Sequence, residues 1–278
     1  MIITKRAAIF IDFIVLLALW AISSVWLNKS FLPDPATVAQ TFFSELSVGW
    51  KAFQDGWLAG GFSSAVDASR TSLLGHSLRS IQRMIWSVLV GTLLATPLAI
   101  LSAESRILQK FLSPLIYFLY PVPKIVFLPI IIFIFGLGDP SINFLIGLIV
   151  FFQIFVIVGD AAAQVPAETL DSIQSLGANR WHMIRHVYWP VSLPAVITAL
   201  KVSIGTAIAV LFIAESIGNN VGLGYYIVVE QWNRFAYDKV YAGIIAISLI
   251  GAIFFGLLSR CERWLTRWAA TRPYRWGE

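Results

Sequence analysis

Six apolar stretches, each about long enough to cross a lipid bilayer, constrain this 278-residue chain more than any other feature. A helix needs roughly 20 apolar residues to cross about 30 Å of hydrocarbon. Charged residues make up 13% of the chain, about half the usual share of a soluble domain. The sequence therefore predicts an all-α membrane protein with about six transmembrane helices. The six stretches are Ala7–Leu27, Met84–Leu101, Phe111–Phe135, Ser141–Gly159, Ala195–Ala214 and Val240–Leu258.

These stretches divide the chain into four predicted segments. Residues 1–30 form an N-terminal anchor helix that is retained, because its apolar core is too long for a cleavable signal. Residues 31–80 form an external loop with a short interfacial helix, which Asp34 and Pro35 begin. Residues 81–260 form the transmembrane core. Residues 261–278 form a basic tail whose arginines and tryptophans favour membrane lipids over nucleic acid as partners.

The distribution of basic residues predicts the orientation of the chain. If the N-terminus is cytoplasmic, the segments on the inside hold 11 Lys and Arg against 6 on the outside. Basic residues are enriched in cytoplasmic connections. Both termini are therefore predicted to be cytoplasmic, and the connection between spans four and five, residues 160–194, lies on the same side.

The third stretch is the least regular of the six. Pro121 and Pro123 disfavour a straight helix, and irregular backbone at membrane depth is tolerated where it lines a cavity or packs on protein. We expect 120–128 to line a solute path, with a packing kink as the alternative. Glu215, at the outer end of the fifth span, is a further candidate. The candidate path residues are Tyr120, Pro123, Lys124, Phe127 and Glu215.

No catalytic, nucleotide-binding or metal-binding motif is found in the chain. It lacks a Gly-x-x-x-x-Gly-Lys phosphate loop and a Gly-x-Ser-x-Gly elbow. His182 and His186 have the spacing of zinc ligands on a helix, but Met183 stands where a zinc protease has glutamate. We expect no enzyme activity and no metal. The energy for transport then comes from an ion gradient or from another chain.

The long inner connection is predicted to form two short helices joined by a glycine elbow. Leu170, Ile173 and Leu176 give the first helix one apolar edge, and Gly177 ends it. Asn179 caps the second helix, which carries Trp181. Pro190 and Pro194 are expected to break the chain before the next span. The apolar edge requires burial, either on the protein's own spans or on another protein.

Several motifs resemble the permease subunits of binding-protein-dependent ATP-binding-cassette (ABC) importers. The inner connection is similar to the family's Glu-Ala-Ala-x-x-x-Gly loop, which stands here as Asp171-Ser172-Ile173-Gln174-Ser175-Leu176-Gly177 and is followed by Pro190 and Leu193-Pro194. Two further stretches resemble the subgroup that imports nitrate, sulfonates and taurine. They are Tyr120-Pro121-Val122-Pro123-Lys124-Ile125-Val126-Phe127-Leu128-Pro129 and Ala214-Glu215-Ser216-Ile217-Gly218, the second with Gly222-Leu223-Gly224-Tyr225.

The resemblance implies a transport subunit of a bacterial or archaeal cytoplasmic membrane. It implies a second permease copy, two cytoplasmic ATPase subunits that bind ATP and Mg²⁺, and an external solute-binding protein. No cofactor is expected in this chain. The solute implied is a small anion such as nitrate, a sulfonate or taurine, with a vitamin precursor as the alternative. The implied ATPase-docking residues are Leu170, Asp171, Ser172, Ile173, Leu176, Gly177, Ala178 and Trp181.

Two other classes of protein compete with this interpretation. A secondary transporter normally shows more spans, internal repeats and mid-membrane acidic residues. Asp12 is the only acidic residue near the middle of a predicted span. A membrane enzyme requires a catalytic constellation, which the chain lacks. ATP dependence of transport distinguishes the importer from the secondary transporter.

Overall fold

The computed structural model describes residues 2–27 and 31–265, and within these ranges it contains helices and turns but no β-strand. The helices are α1 (Ile2–Trp26), α2 (Pro35–Gly60), α3 (Phe62–Ala68), α4 (Leu73–Glu104), α5 (Arg106–Leu119), α6 (Leu128–Phe135), α7 (Asp139–Ala163), α8 (Ala167–Ser175), α9 (Arg180–Met183), α10 (Trp189–Gly218) and α11 (Tyr237–Leu265). Short 3₁₀ helices cover Lys124–Phe127 and Trp232–Arg234, and π-helices cover Ile184–Tyr188 and Tyr225–Gln231.

The membrane character of the fold is confirmed, but the count of six spans is not. Among the described residues, four continuous helices are long and apolar enough to cross a bilayer. A fifth span results if α5 and the segment Lys124–Phe135 are counted together. The apolar part of α1, Ile14–Trp26, is shorter than the others. The four continuous helices are Leu73–Glu104, Asp139–Ala163, Arg180–Ile217 and Tyr237–Leu265.

Helix α2 begins where the sequence predicts a helix start. The Asp34 carboxylate accepts a hydrogen bond from the backbone N–H of Thr37 at 2.9 Å, and Pro35 occupies the first helical position. Such a cap satisfies one of the free donors of the first turn. The helix is 26 residues long, so it is longer than the predicted short helix, because no strong breaker occurs before Gly60 and Gly61.

The predicted break at Pro190 and Pro194 is wrong. The backbone stays helical from Arg180 to Ile217, and Pro194 lies inside α10. A proline normally clashes with the carbonyl four residues earlier. For Pro190 that carbonyl belongs to His186, which lies within the π-helical segment Ile184–Tyr188. The wider turn relieves the clash, so the fifth span joins the inner connection without a loop.

The chain divides into two compact units. Unit 1 contains the described residues of 1–80 and 215–249, and unit 2 contains those of 81–214 and 250–278. Helix α7 is the centre of unit 2, since Leu145, Ile146, Val150 and Ile154 are fully buried. In unit 1, Val38, Leu73, Leu223 and Tyr226 are fully buried.

Candidate functional site

The third predicted span is broken in unit 2, as its prolines indicate. Helix α5 ends at Leu119, and the segment Lys124–Phe135 leaves at an angle of 89° to it. Pro121 and Pro123 lie between the two parts. The break ends the regular helical bonding of α5, and the backbone N–H of Val122 still donates to the carbonyl oxygen of Leu119 at 3.1 Å.

Lys124 adds side-chain hydrogen bonds to the carbonyls at the end of α5. Its Nζ donates hydrogen bonds to the carbonyl oxygens of Leu119, at 2.8 Å, and of Tyr120. The same Nζ lies 4.5 Å from the ring centroid of Phe152 and 5.4 Å from that of Tyr120. Lysine carries three donors, and a cation near a helix C-terminus is favourable. Lys124 therefore stabilises the bend as a cap of α5.

A cavity of about 360 Å³ opens beside this bend. Tyr120, Pro123 and Lys124 line it, so three of the candidate path residues share one cavity. Phe127 is not among the lining residues and packs against the core of unit 2. The full lining is Tyr120, Pro121, Val122, Pro123, Lys124, Ile125, Ile149, Phe152, Gln153, Thr206 and Val210.

Sequence reasoning missed two polar residues of this cavity. Gln153 of α7 donates through Nε2 to Oγ1 of Thr206 in α10 at 3.2 Å. The Oε1 atom of Gln153 is buried and accepts no hydrogen bond within the part of the chain that the structure describes. An amide in an otherwise apolar span was the available signal, since polar groups in such spans mark functional surfaces.

Glu215, the fifth candidate path residue, belongs to unit 1 and is fully buried there. Its carboxylate accepts hydrogen bonds from Ser80 Oγ at 2.9 Å and from the backbone N–H of Gly224 at 3.0 Å. Ser80 Oγ in turn accepts from the backbone N–H of Leu223 at 2.9 Å. Nδ1 of His76 accepts from the N–H of Gly222 at 3.0 Å. In this structure Glu215 fixes the connection that follows α10.

The first helix and the glycine elbow of the inner connection have the predicted form in unit 2, whereas the predicted second helix is continuous with the fifth span. Helix α8 ends at Ser175, and Gly177 takes a left-handed conformation with φ of +85°. Asn179 caps α9 by accepting from the N–H of His182 at 2.9 Å. The ring of His182 completes this capping box, which accounts for a histidine at this position without a metal.

The apolar edge of the inner connection is divided between two environments. Leu170, Ile173 and Ala178 are partly buried against the core of unit 2. Leu176 is 87% exposed, and Trp181 is 63% exposed. The polar positions Asp171 and Ser172 are exposed. Leu170, Ile173 and Ala178 thus anchor the elbow on the core of unit 2. Leu176 and Trp181, which we call the tip of the elbow, expose two large apolar side chains.

Part of the predicted basic tail lies outside the described residues. The structure describes residues 261–265, where Cys261 is exposed and the Trp264 side chain is 69% exposed. The remaining arginines and tryptophans of the tail follow residue 265. Its predicted contact with lipid stays a prediction.

The fold and the site together define a polytopic membrane protein with one broken span and one helical elbow. The family described as "Binding-protein-dependent transport system inner membrane component" matches residues 95–267. This match covers more than half of the chain. The chain therefore belongs to this family, the permease subunits of ABC transporters, which are not enzymes themselves.

Curated relatives extend the match over most of the chain. The taurine transport system permease protein TauC of Escherichia coli is 28% identical over 251 residues, which cover 90% of this chain and 84% of the relative. The putative aliphatic sulfonates transport permease protein SsuC of Bacillus subtilis is 27% identical over 258 residues, which cover 91% of this chain and 84% of the relative. The resemblance to the sulfonate and taurine subgroup is confirmed.

A solved structure supports the fold. A chain of the methionine ABC transporter MetNI, in inward-facing conformations, superposes with a TM-score of 0.58. The match covers 70% of this chain and 96% of that chain at 18% identity. At this identity the likeness concerns the fold alone.

Proposed function

We propose that this permease subunit imports a small anion and that a separate ATPase drives it through the elbow at 165–194. The docking proposal is supported by one observation: Leu176 and Trp181 are exposed although the neighbouring part of the elbow packs on the core. A large exposed apolar side chain in water favours burial against a partner. Because Leu170 and Ile173 pack on the core, the docking surface is the tip of the elbow, with Asp171, Ser172 and Gly177 beside it.

A second copy of the chain and an external binding protein complete the proposed importer. The family's name states dependence on a binding protein. ATP and Mg²⁺ bind to the ATPase subunits, and both termini of the permease are cytoplasmic. The docking proposal requires the elbow to be cytoplasmic too, which agrees with the orientation from the basic residues.

The proposed solute path runs along the cavity at the break of the third span. Lys124 places a positive charge at the cavity, and a cation in such a place favours anionic solutes. Relatives whose names specify taurine and aliphatic sulfonates point to solutes that carry an anionic sulfonate group. A small anion is therefore favoured over a vitamin precursor.

Replacement of Leu176 by aspartate tests the docking proposal. We expect Leu176→Asp to abolish co-purification with the ATPase and solute-stimulated ATP hydrolysis, because a charge replaces the apolar contact. Leu137→Asp is the matched control, since Leu137 is 70% exposed and lies in the connection 136–138, away from the elbow. Unimpaired ATPase binding in Leu176→Asp, with the chain folded, contradicts docking at this tip.

Transport assays distinguish the importer from a secondary transporter. The complex in proteoliposomes, with its binding protein outside, is expected to accumulate radiolabelled taurine or another small sulfonate only when ATP is supplied to the ATPase side. An ionophore that collapses ion gradients should leave this uptake unchanged. Uptake that needs the gradient and not ATP contradicts the proposal.

A further inference from the structure

An open cleft of about 670 Å³ lies beside the elbow in unit 2. Residues of the elbow line one side of it, and the connection between α4 and α5, residues 104–107, lines the other. Nε of Arg180 lies 3.4 Å from Oε1 of Glu104, so the two connections meet on the same side of the membrane. The elbow is therefore one of two walls that face this cleft.

The charged side chains that line the cleft give it a net positive charge. They are Glu104, Arg106 and Arg180. Glu104 is paired with Arg180, whereas no carboxylate of the described residues lies within ion-pair distance of Arg106. Arg106 is exposed, and it stands in the first turn of α5, where a positive charge opposes the helix dipole. A carboxylate that enters the cleft therefore neutralises a charge that the chain itself leaves unbalanced.

An exposed apolar side chain lies next to this arginine. Ile107 lines the cleft and is 72% exposed. Trp181, at the tip of the elbow, directly follows the lining residue Arg180, so the cleft adjoins the surface proposed for docking. Arginine and large apolar side chains are both enriched in protein interfaces. The cleft thus extends the apolar docking surface and adds a positive charge to it.

We infer that residues 104–107 form a second wall of the ATPase-docking site and that an acidic segment of the ATPase enters the cleft. A carboxylate of that segment pairs with Arg106, and an apolar side chain beside it packs on Ile107. The inference rests on the proposed function, because it assumes that the elbow docks on an ATPase. Since α4 ends at Glu104, the ATPase then acts directly on α4 as well as on the fifth span.

Photo-crosslinking from position 107 tests the second wall. The photoreactive residue p-benzoylphenylalanine replaces Ile107 in the full-length chain, which is assembled with its purified ATPase in lipid nanodiscs. We expect irradiation to attach the ATPase, as identified by mass spectrometry. Phe118 is the matched control position, because it is 76% exposed on the same helix but lies about 16 Å further along the axis. It should attach no ATPase. Attachment of lipid alone at position 107 overturns the inference.

Charge reversal at Arg106 tests the acidic character of the occupant. Arg106→Glu is expected to weaken binding of the purified ATPase to the permease in nanodiscs about tenfold, because it brings like charges together. Arg106→Lys retains the charge and should bind nearly as well as the wild type. Lys110→Glu is the control, since Lys110 is exposed one turn further along α5 and does not line the cleft. Unchanged binding in Arg106→Glu, or an equal loss in Lys110→Glu, overturns the inference.

A photoreactive residue at position 181 distinguishes failure of the second wall from failure of the proposed function. Trp181 is exposed at the tip of the elbow, so p-benzoylphenylalanine in its place should also attach the ATPase. Attachment from position 181 without attachment from position 107 contradicts the second wall and leaves docking at the tip in place. Attachment from neither position contradicts both proposals.

Discussion

The guanidinium of Arg83 lies 2.7 Å from the carboxylate of Asp139, and the arginine side chain is only 2% exposed. The pair joins α4 to the first turn of α7, where Nε of Arg83 also donates to the same carboxylate oxygen at 2.8 Å. Asp139 is the first residue of α7, so its negative charge also lies in the first turn, near the positive end of the helix dipole. A buried arginine in a membrane span depends on such a partner.

Removal of the carboxylate should therefore destabilise the protein strongly. We expect Asp139→Ala to lower the free energy of unfolding by about 3 kcal/mol, because it leaves a buried charge without its main partner. Denaturant titration in detergent measures this change. Asp67→Ala is the control, since Asp67 and Arg70 form a pair whose side chains are 69% and 58% exposed. If both variants lose the same free energy of unfolding, burial of the Arg83–Asp139 pair does not account for its contribution to stability.

Gly222 is expected to tolerate no side chain. Its φ is +130°, and a Cβ atom built on it lies 2.3 Å from Cδ of Glu215. Gly222→Ala combines backbone strain of about 1–2 kcal/mol with displacement of the buried carboxylate. We expect a lower melting temperature and faster amide exchange over 216–224, measured by mass spectrometry.

Gly138→Ala separates these two contributions. Gly138 has a similar φ of +118°, but nothing lies within 4 Å of a Cβ atom there. Only strain is introduced, so its loss of stability should be the smaller of the two. If the two variants are equally destabilised, the contact with Glu215 contributes nothing to the loss of stability in Gly222→Ala.

Glu230 should make stability depend on pH in the acidic range. Burial raises the pKa of this carboxyl above its ordinary 4.5, an effect that Glu45 reinforces and that Arg234 and Lys239 oppose. Nε2 of His76 lies 3.3 Å from the same group. The folded protein therefore binds the proton more tightly than the unfolded chain does, and stability falls as pH rises from about 4.5 through the raised pKa.

The variant Glu230→Gln is expected to flatten that fall, since glutamine imitates the protonated carboxyl. Melting temperatures measured across the acidic range in detergent provide the comparison. Glu168→Gln, at an exposed position in α8, should leave the pH dependence of the wild type unchanged. If the melting temperature of Glu230→Gln falls more steeply with pH than that of the wild type, the predicted direction of the effect is wrong.

Asn179 stabilises the helical conformation of the elbow. Its side chain caps α9, and loss of such a cap costs about 1 kcal/mol. We expect Asn179→Ala to increase amide exchange in 178–183 and to weaken ATPase binding, whereas Asn179→Asp retains the cap. Asn220→Ala, at an exposed position in unit 1, is the control. Unchanged exchange in Asn179→Ala contradicts the role of the cap.

Local signals predicted the membrane helices and several of their ends. The apolar lengths indicated membrane helices. Asp34 and Asn179 begin helices with side-chain caps, and Gly177 follows α8 in a left-handed conformation that its missing Cβ permits. Prolines in the third stretch predicted its break. Each of these effects depends on a few neighbouring residues, which a sequence displays directly.

Pairs that join distant residues were not predictable in this way. Arg83 and Asp139 are 56 residues apart, and Gln153 and Thr206 are 53 residues apart. Their contacts arise from packing between helices. The periodicity of apolar residues within one helix does not show which residues of another helix it will contact. Pro190 is the opposite case, because a strong local signal for a break was overcome by a π-helical turn.

The π-helical turn at Ile184–Tyr188 determines which side of the fifth span each later residue lies on. One residue more than an α-helical turn requires rotates everything beyond it by about 100° about the helix axis. Trp181 lies before the π segment at the elbow tip, and Thr206 lies beyond it in the cavity wall. Deletion of a single residue in 184–188 would turn Thr206 away from Gln153 and would also restore the clash at Pro190 that the wider turn relieves. The spacing of the chain in this one turn thus fixes the angle about the helix axis between the tip of the elbow and the wall of the cavity.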